Sequence, residues 1–184
     1  MMIPVGYMAK KIASKPEWLK ANQVKDIYSV SGCVSEEFAD YIRFWKHNEY
    51  WFLNSLRDIA EIAKADSVSL SDTKTFYYEM YEKEFYGKQW QIIETTNMFE
   101  TNIALPSSKK LEGYDIVTFS TGNGAQCSPL SCNSMAESIN VNSHCLLESF
   151  EKAMTIIESS VLENCEPGPM RIFAIYSLSK ATQV

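Results

Sequence analysis

Hydrophobic positions along this chain change period several times, and each change marks an element. Ser35 is followed by Glu36 and Glu37 and then by Phe38, Tyr41, Ile42 and Trp45 at i, i+3, i+4 and i+7, a spacing that predicts a capped amphipathic helix with its stripe on a core. Leu56, Ile59, Ala60 and Ala63 repeat that spacing behind Asn54 or Ser55 and predict a second helix to about Ala65. Another begins near Ser149, with Phe150, Ala153, Met154, Ile157 and Val161 on one side. A short helix to about Lys20 is announced by Ser14-Lys15-Pro16-Glu17, which has the form of a capping box.

Elsewhere the residues suit strands. Val24 to Val30 is β-branched and aromatic and ends at Ser31-Gly32. Thr75 to Tyr86 reads as one long strand, Gly87-Lys88 as a tight turn and Gln89 to Thr96 as the returning partner, an antiparallel hairpin. Further strands are expected over Tyr114 to Phe119 and, after the turn Glu166-Pro167-Gly168-Pro169, over Arg171 to Leu178. Helices come mostly first and strands mostly later, so the order predicts an α+β fold: one domain over 1–184, about five antiparallel or mixed strands packed with three to four helices. A polar Cys/Asn/Ser-rich connection over 120–148 interrupts it, and no internal repeat is visible.

Composition narrows the function classes. The 184 residues are 46% apolar and carry a net charge of −6, enough for a core and unfavourable for nucleic acid, whose binding energy comes from clustered Lys and Arg. The N-terminal apolar run precedes its lysines, unlike a signal peptide, and no stretch is long enough to span a bilayer. A cytoplasmic protein without membrane contact is expected, its five cysteines thiols.

Candidate chemistry concentrates between Cys127 and Cys145. Cys127, Cys132 and His144, with Cys165 or Cys33 as fourth ligand, could form a zinc site. Alternatively Cys127 or Cys132 could be a nucleophile with His144 as its base. Ser120-Thr121-Gly122-Asn123-Gly124 follows a strand but lacks the third glycine and the lysine of a phosphate loop. Glu79, Glu82 and Glu84 beside Tyr81 and Tyr86, together with Glu137, form an acidic, aromatic set of the kind that binds basic partners.

The leading expectation is therefore a non-enzymatic, acidic protein-binding domain without cofactor, such as an immunity protein or inhibitor that neutralises a basic toxin or nuclease. The alternatives are a small Cys/His enzyme and a zinc-stabilised domain. Oligomeric state does not follow from the sequence.

Overall fold

The computed structural model describes residues 1–38, 47–95, 100–119 and 127–178. Its centre is a six-stranded antiparallel sheet built from β1 (Met2–Lys11), β4 (Thr73–Tyr81), β5 (Lys83–Tyr86), β6 (Gln89–Ile92), β7 (Lys109–Thr118) and β8 (Met170–Leu178). Strand β8 is central, with β4 and β5 along one side and β7 along the other; β1 extends the sheet beyond β4, and β6 beyond β5. A two-stranded ribbon pairs β2 (Ala13–Ser14) with β3 (Asp26–Ile27). Among the described residues the helices are α1 (Leu56–Ala65), the single turn α2 (Pro129–Cys132) and α3 (Phe150–Glu158). The fold is α+β, rich in sheet.

The chain contains a repeat that its sequence conceals. In the first half, β1 bulges at Gly6, and a tight turn begun by Asn48 docks on the bulge; the Asn48 amide donates to Val5 O while its Oδ1 accepts from the backbone of Tyr50 and Phe52. In the second half, β7 bulges at Gly113, and Asn142 does the same with Glu112 O and the backbone of His144 and Leu146. Each turn contains a residue in the left-handed region, Trp51 at φ 68° and Cys145 at φ 62°. Each is followed by a helix capped by a serine hydroxyl, Ser55 for α1 and Ser149 for α3, and then by an inner strand, β4 or β8. Gly6 faces Tyr78, Tyr78 faces Ile175 and Ile175 faces Gly113 across the sheet. The two halves are thus related by a pseudo-two-fold between β4 and β8, and each has the order strand, connection, Asn turn, helix, strand.

Side chains alternate across a sheet, so the registers assign faces. Lys10, Phe76, Tyr78, Met80, Phe173 and Asp115 share one face. Tyr81 and Tyr114 lie on the other, where both rings pack against Phe150 of α3. The buried core forms two clusters. One cluster gathers Met8, Tyr28, Phe52, Phe76, Tyr78 and Phe173, and a second gathers Ile116, Ile172, Leu130, Ala153 and Ile157.

Helices α1 and α3, their serine caps, the Gly87-Lys88 turn and the last strand fall where the sequence pattern puts them, while the returning strand expected over Gln89 to Thr96 ends at Ile92, Thr96 lying outside the described residues. Other elements differ. Strand β1 is not predicted, because its Gly6 bulge and buried Lys10 break the alternation. The helix expected after Ser14 is a turn closed by the Leu19 amide on Pro16 O. The strand expected over Val24 to Val30 is only β3. At Ser35 to Phe38 the backbone is not helical: Glu37 bridges to Lys10 of β1, and Phe38 N donates to Ala9 O. Tyr41, Ile42 and Trp45 of that expected helix lie outside the described residues. The long strand from Thr75 breaks at Glu82 as its pairing passes from β1 to β6. Within the 120–148 connection, 120–126, which carries the glycine loop, lies outside the described residues; the remainder is ordered by α2, a 3-10 turn at Met135–Glu137 and pairing along the β7 edge at Cys127 and Leu147.

Candidate functional site: a corner of three thiols

The connection that follows β1 and the one that follows β7 meet on the face carrying Lys10 and Asp115. Both side chains are buried, each 1% exposed. Lys10 Nζ donates to the carbonyls of Val30 (2.9 Å), Ser31 (3.4 Å) and Ser35 (3.0 Å). Asp115 Oδ2 accepts from the Ser29 hydroxyl and the Val30 amide, both at 3.0 Å, and its Oδ1 accepts from Ser128 Oγ at 2.6 Å. One buried cation and one buried carboxylate therefore clamp residues 29–35 and join them to Ser128, at the start of α2. A buried polar group persists only where its hydrogen bonds are met; here they are met by loop backbone, which fixes the loops.

Burial pushes the Asp115 carboxyl up to about 6, against the pull of its three donors. The folded chain thus holds this proton more tightly than the unfolded chain, whose carboxyl titrates near 3.8. The resulting stabilisation is full below that value and is lost as pH rises through 6. Linkage puts it on the order of 3 kcal/mol. Asp115→Asn, which cannot titrate, should gain stability relative to the parent between about pH 4 and pH 7 in urea melts, and a constant difference would contradict this electrostatic account.

The clamped loops carry Cys33, Cys127 and Cys132. The Cys127 thiol donates to Asn133 Oδ1 at 3.3 Å, and Cys127 and Cys33 lie near enough to Cys132 to influence its ionisation. The hydroxyls of Ser31 and Ser131 stand 4.0 and 3.9 Å from that sulfur. Hydrogen bonding from Cys127, helped by the Ser128 backbone, Ser131 and Cys33, outweighs burial and lowers the Cys132 thiol to about 5. The same pairing drives Cys127 far up, and burial raises Cys33. Glu166 adds negative charge beside Cys33 and Cys127 and disfavours their ionisation. These surroundings favour ionisation at Cys132 and disfavour it at Cys127 and Cys33.

His144 is engaged elsewhere. Its Nδ1 meets Asp26 Oδ1, and its ring stacks on Tyr28 with centroids 4.1 Å apart. Cys127 and Cys132 are brought to each other and to Cys33, not to the imidazole. Among the described residues no group of three or more His, Cys, Asp or Glu is arranged to hold a metal ion, so the zinc set of Cys127, Cys132, His144 and Cys165 does not assemble. Cys145 is fixed in the Asn142 turn, where burial raises its thiol to about 12.

The acidic set is used within the chain. Glu79 accepts from Lys109 and from Tyr176 Oη, Glu82 pairs with the N-terminal amine, and Glu84 binds Arg171 Nε at 2.8 Å. Glu137 accepts from the Lys20 amide, and Tyr81 packs on Trp90 and Phe150. Tyr86 alone of the six presents a large apolar surface, 55% exposed, beside a recess of about 240 Å³ that Ile157, Leu162 and Met170 help line.

Lys10, Asp115 and Ser31 were not singled out from sequence as site residues, and Cys33 entered only as a spare zinc ligand. The usable signal was a charged residue inside an otherwise apolar run, Lys10 in VGYMAK and Asp115 in YDIVTF. Comparison with family models, curated proteins and solved structures finds no match. Among the described residues no helix is long and apolar enough to cross a membrane.

Proposed function

We propose that the protein works by thiol chemistry, with Cys132 as a nucleophilic thiolate in a dithiol redox centre. The observation that carries this reading is the gathering of three thiols from two separate connections in one corner, held there by Lys10 and Asp115. A thiolate, not a thiol, attacks electrophilic sulfur or oxygen, and neighbouring donors lower its pKa in redox-active cysteines. This replaces a Cys/His pair by a Cys/Cys pair. At about pH 6, limiting iodoacetamide should label Cys132 first in peptide mass maps of the full chain; first labelling at Cys33 or Cys165 would contradict the assignment.

The non-enzymatic reading retains one supporting feature of its own. Net charge −6 and the exposed Tyr86 beside an apolar recess suit an acidic domain that covers a basic protein partner, as an immunity protein or inhibitor of a nuclease toxin would. The carboxylates expected to make that contact already have intramolecular partners, so this reading relies on overall steering and on Tyr86. Binding to a basic partner that weakens with Tyr86→Ala and with added salt would support it, and indifference to both would remove its basis.

A further inference from the structure

We infer that Cys33 is the resolving thiol of this centre, so that a small hydroperoxide converts the corner into a Cys33–Cys132 disulfide. The inference rests on the thiolate reading of Cys132 and adds the substrate class and the second residue.

Geometry separates the two candidate resolving thiols. Cys127 is buried and its thiol proton is committed to Asn133 Oδ1, while its presence favours ionisation of Cys132, the role of a neighbour that sustains the thiolate. Cys33 is exposed and is carried by the opposite loop to the side of Ser31 that faces Cys132. Ser31 links the two: its Oγ accepts from Cys33 N at 3.2 Å and lies 4.0 Å from Cys132 Sγ. Lys10 and Asp115 hold this stretch through Val30, Ser31 and Ser35, so Cys33 is presented by a fixed backbone. A disulfide formed from an exposed thiol also remains reachable by a reductant.

Cys132 is half-buried and flanked by the hydroxyls of Ser31 and Ser131. Such a site admits a small oxygen-centred oxidant, to which hydroxyls can hydrogen-bond, more readily than a bulky disulfide. The Cys132 thiolate attacks one peroxide oxygen; the O–O bond breaks, and the other oxygen leaves as ROH with a proton from solvent. Cys132 is left as the sulfenic acid. The Cys33 sulfur then attacks the sulfenic sulfur, the S–O bond breaks, and hydroxide leaves as water with the Cys33 proton. The hydroperoxide has gained two electrons and the two thiols have lost them. A dithiol reductant returns the pair to thiols by exchange.

The experiment uses the full reduced chain, stoichiometric hydrogen peroxide, alkylation of the remaining thiols and peptide mapping. The main bridge should be Cys33–Cys132. In Cys33→Ser, a change at an exposed position, Cys132 should instead accumulate as the sulfenic acid, with dimedone labelling rising roughly tenfold over the parent. In Cys127→Ser the Cys33–Cys132 bridge should still form, more slowly. A dominant Cys127–Cys132 bridge, or equal dimedone labelling in parent and Cys33→Ser, would overturn the role of Cys33 while leaving the Cys132 thiolate standing. Neither bridge nor adduct at Cys132 in either protein would overturn the thiolate reading itself.

Discussion

Gly113→Ala should cost about 3–5 kcal/mol of folding stability, and Gly6→Ala a similar amount, as read by urea unfolding. Both glycines occupy positive φ, 149° and 126°, where an L side chain is strained. A Cβ on Gly113 would lie 2.7 Å from Leu146 Cβ and 2.8 Å from Leu147 O; on Gly6 it would lie 2.4 Å from Leu53 O. The contacted atoms belong to the docked Asn turns and are a backbone oxygen, a Cβ and the Asn amide nitrogen in each case, none of them the far end of a flexible chain, so relief would require the turn to lift from its strand. Loss of that docking would expose Phe52 or Leu146, which are 5% and 0% exposed. Total stabilities of domains this size are about 5–15 kcal/mol, so either change takes a large share. Gly32→Ala is the control, because a Cβ there meets nothing within 4 Å. Equal stability of Gly113→Ala and Gly32→Ala would refute the bulge-and-turn repeat as the organising unit of the fold.

Lys10→Met is the second large effect, expected at about 3 kcal/mol or more. Methionine matches the length of the lysine stem and would keep its packing on this face of β1. What it removes is the ammonium that three loop carbonyls share. Replacing a whole buried polar pair by apolar groups can be neutral, but removing one side leaves its partners desolvated and unmet. The cost should fall on residues 30–35, so Lys10→Met should also slow Cys33–Cys132 bridge formation more than it slows alkylation of Cys132. Equal slowing of the two would mean that the amine stabilises the fold without positioning Cys33.

Much of the framework was legible because it follows from local periodicity: the helices behind Ser55 and Ser149, the hairpin around Gly87-Lys88 and the strand from Met170 all have regular apolar spacing and recognisable caps or turns. The site was less legible because it depends on long-range juxtaposition. Cys33 lies far in sequence from Cys127 and Cys132, and only the return of two unequal connections to one face of the sheet brings them together. Proximity in sequence suggested His144 for these thiols, yet the Asn142 turn carries His144 to Asp26 and Tyr28. The repeat was hidden for a related reason. Its shared residues are few, Gly6-Tyr7 with Gly113-Tyr114, Asn48 with Asn142, Leu53 with Leu147 and Ser55 with Ser149, and the connections before the Asn turns differ in length. Backbone geometry preserves the equivalence that side chains do not.

The most direct test of the account is the pH dependence of Cys132 alkylation, followed by mass spectrometry on the intact full chain. The account predicts a rate that rises with a midpoint near 5, and that Cys127→Ala moves the midpoint toward the ordinary thiol value of 9.0. A parent midpoint already near that ordinary value and unmoved by Cys127→Ala would contradict it.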